Sequence, residues 1–225
     1  MTPARALRTV PPAARPEAAL AAAVHGAVDL DAIRAAAQGC RACDLWERAT
    51  QTVFGQGQVP ARLMLVGEQP GDQEDVRGEP FVGPAGRILD QALEEAGIDR
   101  ETVFVTNVVK HFKWRPAPSG KRRLHERPNR TEIGACLPWV ESELALVRPE
   151  ALVLLGATAT AALVGPKVRV TRDHGVALPS ELAPLVVATI HPSAVLRARG
   201  SDARDELQAG LVADLKAVAD QLARS

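Results

Sequence analysis

Four short apolar runs, residues 63–66, 103–106, 151–155 and 185–189, punctuate a chain whose intervening segments carry apolar residues at helical spacing. Runs of Val and Leu without polar alternation belong to strands buried on both faces. Such strands separated by helix-length segments predict a parallel sheet covered by helices. The spacing predicts a helix over 86–96 closed by Gly97, a second over 131–147 in which Pro138 forces a kink or a restart, a short one over 158–163, and an amphipathic one near 205–222. A weaker apolar stretch, 168–171, reads as a strand or hairpin. The fold class that follows is α/β.

In an open α/β sheet the ligand crevice lies beyond the carboxyl ends of the strands. Four segments far apart in sequence should therefore meet there: Gly67-Glu68-Gln69-Pro70-Gly71 after the first strand, Asn107 at the end of the second, Gly156 at the end of the third and His191-Pro192-Ser193 after the fourth. The first is not a P-loop, since no Gly-Lys-Ser or Gly-Lys-Thr follows, and its glycine spacing is not that of a dinucleotide fingerprint. Phe81-Val82-Gly83-Pro84-Ala85-Gly86 sets one aromatic ring among glycines that permit close backbone approach, which suits either a core Phe or a ring stacked on a base. Asn107 is either a turn residue or, as a side chain with both donor and acceptor, a reader of the edge of a flipped-out pyrimidine.

At 225 residues and 46% hydrophobic content, the chain supports one substantial core, expected over 31–225, preceded by an Ala-, Pro- and Arg-rich extension over 1–30 with no secretory pattern. No run is apolar and long enough to span a bilayer, so a cytoplasmic protein without a membrane partner is expected. Aromatics make up only 3%, which disfavours an extended base-stacking platform. The 27 basic and 27 acidic residues balance, yet between residues 110 and 130 eight Lys or Arg face a single acid, Glu126. That segment contains Lys121-Arg122-Arg123-Leu124-His125, a patch suited to a polyanion such as nucleic-acid phosphate, or else a solvated charge run. Of the three cysteines, Cys40 and Cys43 form a Cys-x-x-Cys pair. With Cys136 and His111 they make a soft donor set suited to Zn²⁺ or an iron–sulfur cluster, between which spacing does not choose.

Together, Cys40-x-x-Cys43, Gly67-Glu68-Gln69-Pro70-Gly71, Pro80 to Gly86, Thr106-Asn107-Val108-Val109-Lys110 and His191-Pro192-Ser193 resemble the iron–sulfur uracil-DNA glycosylases of family 4, over about residues 35–220. Gln69, His111 and Lys121-Arg122-Arg123-Leu124-His125 resemble its UdgX branch, which excises uracil and stays covalently attached to the abasic sugar. Family 4 usually has a cysteine where this chain has His111. The resemblance implies a parallel-sheet α/β/α sandwich and a structural [4Fe–4S] cluster held by Cys40, Cys43, His111 and Cys136. It places Phe81 against the uracil ring, Asn107 on its polar edge and the Gln69 backbone near the base, with His191 stabilising the departing uracil anion and Glu68 the oxocarbenium-like sugar.

His125 would attack C1′ in place of water, since a positioned group reaches an effective molarity of roughly 10⁵ M or more. Lys121, Arg122 and Arg123 would grip flanking phosphates, joined by Ser193 and Arg197, with Val195, Leu196 and Arg197 candidates for filling the gap left by the flipped base. With no Tyr in the chain, exclusion of thymine cannot rest on a tyrosine ring. The expected partner is uracil-containing DNA, single strands preferred because flipping costs least there, met by a monomer that joins the nucleoid when bound. A conventional multiple-turnover glycosylase and a non-catalytic DNA-binding module are the alternatives.

Overall fold

The structure, a computed structural model, describes residues 16–26, 28–120 and 122–225; Lys121 and the first half of the expected extension, residues 1–15, lie outside the described residues. Six strands are present among them: β1 (Leu63–Gly67), β2 (Val103–Asn107), β3 (Trp114–Pro116), β4 (Arg123–His125), β5 (Ala151–Leu155) and β6 (Leu185–Thr189). The four apolar runs pair in parallel in the order β2-β1-β5-β6, with Leu63 opposite Val103 and Ala151, and Ala151 opposite Leu185.

Every residue of β1, β2 and β5 is buried because the sheet is covered on both faces. The helices are α1 (Pro16–Val24), α2 (Leu30–Gln38), α3 (Asp72–Arg77), α4 (Pro84–Glu95), α5 (Arg130–Val147), α6 (Ala157–Leu163), α7 (Val170–Asp173), α8 (Ser193–Arg197) and α9 (Ser201–Leu222). Met64, Val66, Phe104 and Leu152 face α1, α2 and α5 through Ala19, Ile33 and Trp139. Leu65, Val105 and Val153 face α4 and α9 through Leu89, Leu93, Leu211 and Leu215. This is the expected α/β/α layering.

Two local expectations are corrected. Residues 168–171 are not a strand: the apolar stretch enters α7, and the backbone beyond it meets β6 through an isolated bridge between Ala177 and Val187 and a hydrogen bond from the Gly175 amide to the Ala188 carbonyl at 2.9 Å. Pro138 does not interrupt α5, which runs on through Val147. The extension is partly packed, since Ala19 and Ala23 of α1 are buried against α5.

The basic segment is also not an open loop. Trp114 pairs with His125, Arg115 with Leu124 and Pro116 with Arg123 to form an antiparallel hairpin, β3–β4, with Gly120 in its turn at φ +70°. Its entry is tied to α5, where Asn129 and Glu132 form a reciprocal capping box and Glu132 Oε2 also accepts from Lys113 Nζ at 3.0 Å.

Lys110, counted among the cations of this segment, is 1% exposed. Its Nζ donates to Glu143 Oε2 at 2.7 Å, Thr106 Oγ1 at 2.6 Å and the Asn107 carbonyl at 2.7 Å, which uses all three protons. Glu143 Oε1 accepts from the Gly55 amide at 2.8 Å and from Thr106 Oγ1 at 3.0 Å. A buried pair so fully bonded is tolerated, but removing one partner strands the other charge. Glu143→Ala should lower unfolding free energy by about 3–5 kcal/mol in denaturant titrations. Breaking the exposed Arg62–Glu150 pair should lower it far less.

Candidate active site

The chain passes from β1 to an edge at β2 and returns to pair β5 on the other side of β1, so the carboxyl ends of β1 and β5 open a crevice. A cleft of about 770 Å³ occupies it, lined by Glu68, Gln69, Phe81, Asn107, His125, Arg127, Thr158, His191, Ser193, Leu196 and Arg197 among others. The strand-end segments converge there as their positions in sequence imply.

One wall is built for a flat ring. Phe81 sits at φ +58°, a conformation a bulky residue adopts only under constraint from its neighbours. Its carbonyl lies so close to Gly86 that a Cβ there would come within 1.7 Å of it. The buried carboxylate of Glu74 accepts the Gly83 amide at 2.8 Å and holds the same turn. The Phe81 ring stacks against His191, centroids 6.1 Å apart and planes 27° from parallel. Gly67 makes room for this wall, since a Cβ on it would meet Asn107 Oδ1 at 2.4 Å and Phe81 Cζ at 2.7 Å. Asn107 is 3% exposed and its Oδ1 has no hydrogen-bond partner. A buried acceptor left alone is costly, so this atom calls for a donor from a ligand.

The tautomer of His191 follows from its neighbours. The Ser193 amide can only donate, and it does so to His191 Nδ1 at 3.1 Å, which places the imidazole proton on Nε2. Burial, with help from Arg197 and His125, pushes the imidazole pKa down to about 4. The ring is therefore a neutral donor through Nε2. Ser193 Oγ lies 2.8 Å from the same Nδ1 and accepts from Arg197 Nη1 at 2.8 Å, so Ser193 and Arg197 are bonded to each other.

Across the cleft, Gln69 organises the hairpin. The Lys113 amide donates to Gln69 Oε1 at 3.0 Å, which fixes the carboxamide and turns Nε2 towards the Glu126 carbonyl at 3.0 Å and His125 Nε2 at 2.8 Å. With a donor facing it, His125 Nε2 carries the lone pair. Desolvation holds this imidazole below its usual range, against the upward pull of Glu68. Glu68 Oε1 is 3.4 Å from His125 Nε2, and Glu68 Oε2 accepts from Thr158 Oγ1. The cleft thus presents an orphaned acceptor, a neutral N–H donor, a carboxylate and an imidazole lone pair.

A sequence profile of the Uracil DNA glycosylase superfamily matches residues 54–216. The chain belongs to that superfamily. This glycosylase is similar to the Type-4 uracil-DNA glycosylase of Thermotoga maritima, 39% identical over 166 residues, covering 73% of this chain and 82% of the relative. It is also similar to that of Pyrobaculum aerophilum, 36% identical over 177 residues, covering 76% and 86%, and to that of Archaeoglobus fulgidus, 39% over 127 residues, covering 56% and 59%.

The remaining candidates of this glycosylase divide. Arg122 is exposed on β3–β4, but Arg123 is turned inward. Its Nη1 donates to the buried Asp75 at 2.6 Å, its Nε to Asp72, and its guanidinium lies over the rings of Phe112 and Trp114. That engagement does not suit the phosphate grip expected of Arg123; it fastens β4 to α3. Val195 is buried and cannot fill a gap in DNA, whereas Leu196 is 44% exposed at the cleft lip.

Among the described residues no three or more His, Cys, Asp or Glu side chains are arranged to hold a metal ion. The donor chemistry nonetheless fits soft-metal ligation. Burial raises the pKa of Cys43 and of Cys136, with Cys40 adding to the rise in both, and Cys40 and Cys136 accept from Trp139 Nε1 at 3.3 Å and the Lys110 amide at 3.2 Å. Thr52 gives its proton to the Ala37 carbonyl, so His111 Nε2, 3.0 Å from Thr52 Oγ1, is the donor there and Nδ1 keeps its lone pair. Sequence reasoning missed Thr158, whose neighbours in sequence carry no motif, and gave Arg127 only a place among the cations of the basic segment.

A folded-state pKa of about 4 against 6.5 makes His191 resist a proton that the unfolded chain accepts. Its contribution to stability is present above pH 6.5 and is lost as pH falls towards 4. In denaturant titrations across that window, His191→Gln should lose less stability than wild type.

Proposed function

We propose that this chain excises uracil from DNA and that His125 ends the reaction by bonding to C1′ of the abasic sugar, as in the UdgX branch. The observation that carries the excision step is the orphaned Asn107 Oδ1 in the same cleft as the neutral His191 donor. A uracil stacked on Phe81 offers N3–H to Asn107, where cytosine has no hydrogen. As the C1′–N1 bond breaks, its electron pair leaves with uracil N1, and His191 Nε2–H donates to the anion that develops. Glu68 faces the positive charge left on the sugar.

The observation that carries the final step is the lone pair on His125 Nε2, 3.4 Å from Glu68 Oε1. Released from Gln69, Nε2 forms a bond to C1′ with that pair, and the imidazolium then loses its Nδ1 proton to solvent. Lowered basicity keeps the attacking ring neutral at neutral pH. Arg127 and Arg197 line the cleft as cations for flanking phosphates, the sequence adds Lys121 and the exposed Arg122, and Leu196 stands where a flipped base would leave a gap. A monomer acting on single-stranded DNA in the cytoplasm and nucleoid fits the lower cost of flipping from a single strand.

Water could equally complete the reaction, with Glu68 orienting it and the protein turning over. The similarity to Type-4 uracil-DNA glycosylases at 36–39% identity supports that reading as well. A denaturing gel separates the two: uracil-containing single-stranded DNA should give a shifted band resistant to denaturant, with no more uracil released than protein added. His125→Gly should abolish the shift and still free uracil; a shift that survives this change removes His125 from the role. An absence of uracil release from every DNA tried would leave a DNA-binding module.

Cys40, Cys43, His111 and Cys136 are assigned to a [4Fe–4S] cluster. When bound it would brace β2, the start of the hairpin and α5 against one another. Protein purified without oxygen should contain iron and acid-labile sulfide and absorb in the visible, and Cys136→Ser should lose both. Zinc without iron would overturn the assignment.

A further inference from the structure

Thr158 lies outside every motif read from the sequence, yet it is 5% exposed in the wall of the cleft. Its hydroxyl has two partners, Glu68 Oε2 and, at 3.0 Å, Arg127 Nε. A guanidinium can only donate, so Thr158 accepts from Arg127 and its single proton is directed at Glu68. Thr160, two residues further along α6, behaves differently: its hydroxyl returns to the Gly156 carbonyl at 2.9 Å, the ordinary use of a helical threonine. Thr158 makes no such bond. Both of its hydrogen bonds go to charged groups of the cleft.

The consequence falls on Glu68, whose side chain is 20% exposed and could otherwise rotate. Oε2 is held by Thr158, with Arg127 Nε 3.9 Å away, which leaves Oε1 as the oxygen 3.4 Å from His125 Nε2. We infer that Thr158 is a positioning residue, which fixes the Glu68 carboxylate so that one chosen oxygen faces the reacting sugar. Arg127 supports it from the far side by fixing the direction of the hydroxyl. Transition-state stabilisation by a charge depends on that charge being in place before the reaction begins. The inference rests on the glycosylase reading of the cleft, and not on whether His125 or water ends the reaction, because Glu68 faces the same cation in both.

Thr158→Val removes the hydroxyl and keeps the shape, whereas Thr158→Ser keeps the hydroxyl. With protein in excess over a single-stranded oligonucleotide carrying one deoxyuridine, Thr158→Val should slow uracil release by about 10- to 100-fold, the size expected for a lost hydrogen bond to a charged group. Thr158→Ser should restore the rate to within about threefold of wild type, and all three proteins should bind an uncleavable 2′-fluoro-deoxyuridine strand with affinities within about twofold. A valine variant as fast as wild type, a serine variant as slow as the valine one, or a loss accounted for by weaker binding would each overturn the role. Wild-type protein that binds the fluorinated strand but frees no uracil from the deoxyuridine strand would instead bring down the glycosylase reading, and this inference with it.

Discussion

The buried bond between Lys110 and Glu143 holds together the parts from which the site is made. Its lysine end grips the last carbonyl of β2, and its carboxylate end, from α5, collects the Gly55 amide and Thr106. Asn107 is thereby held from behind while its side chain faces the cleft. The Lys110 amide also donates to Cys136, and His111 follows directly in the chain. One ion pair thus lies behind Asn107 on one side and two of the soft donors on the other. A hydrophobic pair of similar volume could fill the space, but it could not bond to a strand-end carbonyl.

Two imidazoles face the same cleft with opposite polarity, and in each case a backbone amide decides it. The Ser193 amide leaves His191 with a proton to give, and the Lys113 amide, acting through the Gln69 carboxamide, leaves His125 with a pair of electrons to give. Burial keeps His191 neutral, and desolvation lowers the basicity of the half-exposed His125 against the pull of Glu68. Titration of either one would erase the difference between the ring with a proton to give and the ring with a lone pair.

The sheet was legible in the sequence because strands covered on both faces must be apolar throughout, and the strand ends of a parallel sheet carry the site wherever the chain reverses direction. The convergence of Glu68, Asn107 and His191 needed no more than that. The hairpin was not legible: its strands are three residues each, and the cations in it read as a phosphate-binding patch or else a solvated charge run, both of which leave Arg123 facing outward. What turns Arg123 inward is a pair of carboxylates, Asp72 and Asp75, about fifty residues earlier, and no local pattern announces that pairing. The stretch at 168–171 failed for a related reason. A few alternating apolar residues satisfy the period of a strand, but the sheet already ends at β6. Thr158 was invisible because a threonine near the start of a helix has an ordinary local use, and only the tertiary position of Glu68 gives it another.

The hairpin is a single contiguous insertion between β2 and α5, held by Gln69, by Asp72 and Asp75, and by the capping box of α5. No strand of the parallel sheet passes through it. The side chains proposed to recognise the base and to break the bond belong to the sheet and its strand ends, while the residue proposed to decide the fate of the sugar belongs to an appendage. On the proposed function, a lineage that exchanged a one-shot trap for a reusable enzyme would therefore rewrite this appendage together with Gln69, which holds His125 from the loop after β1, and leave the sheet untouched.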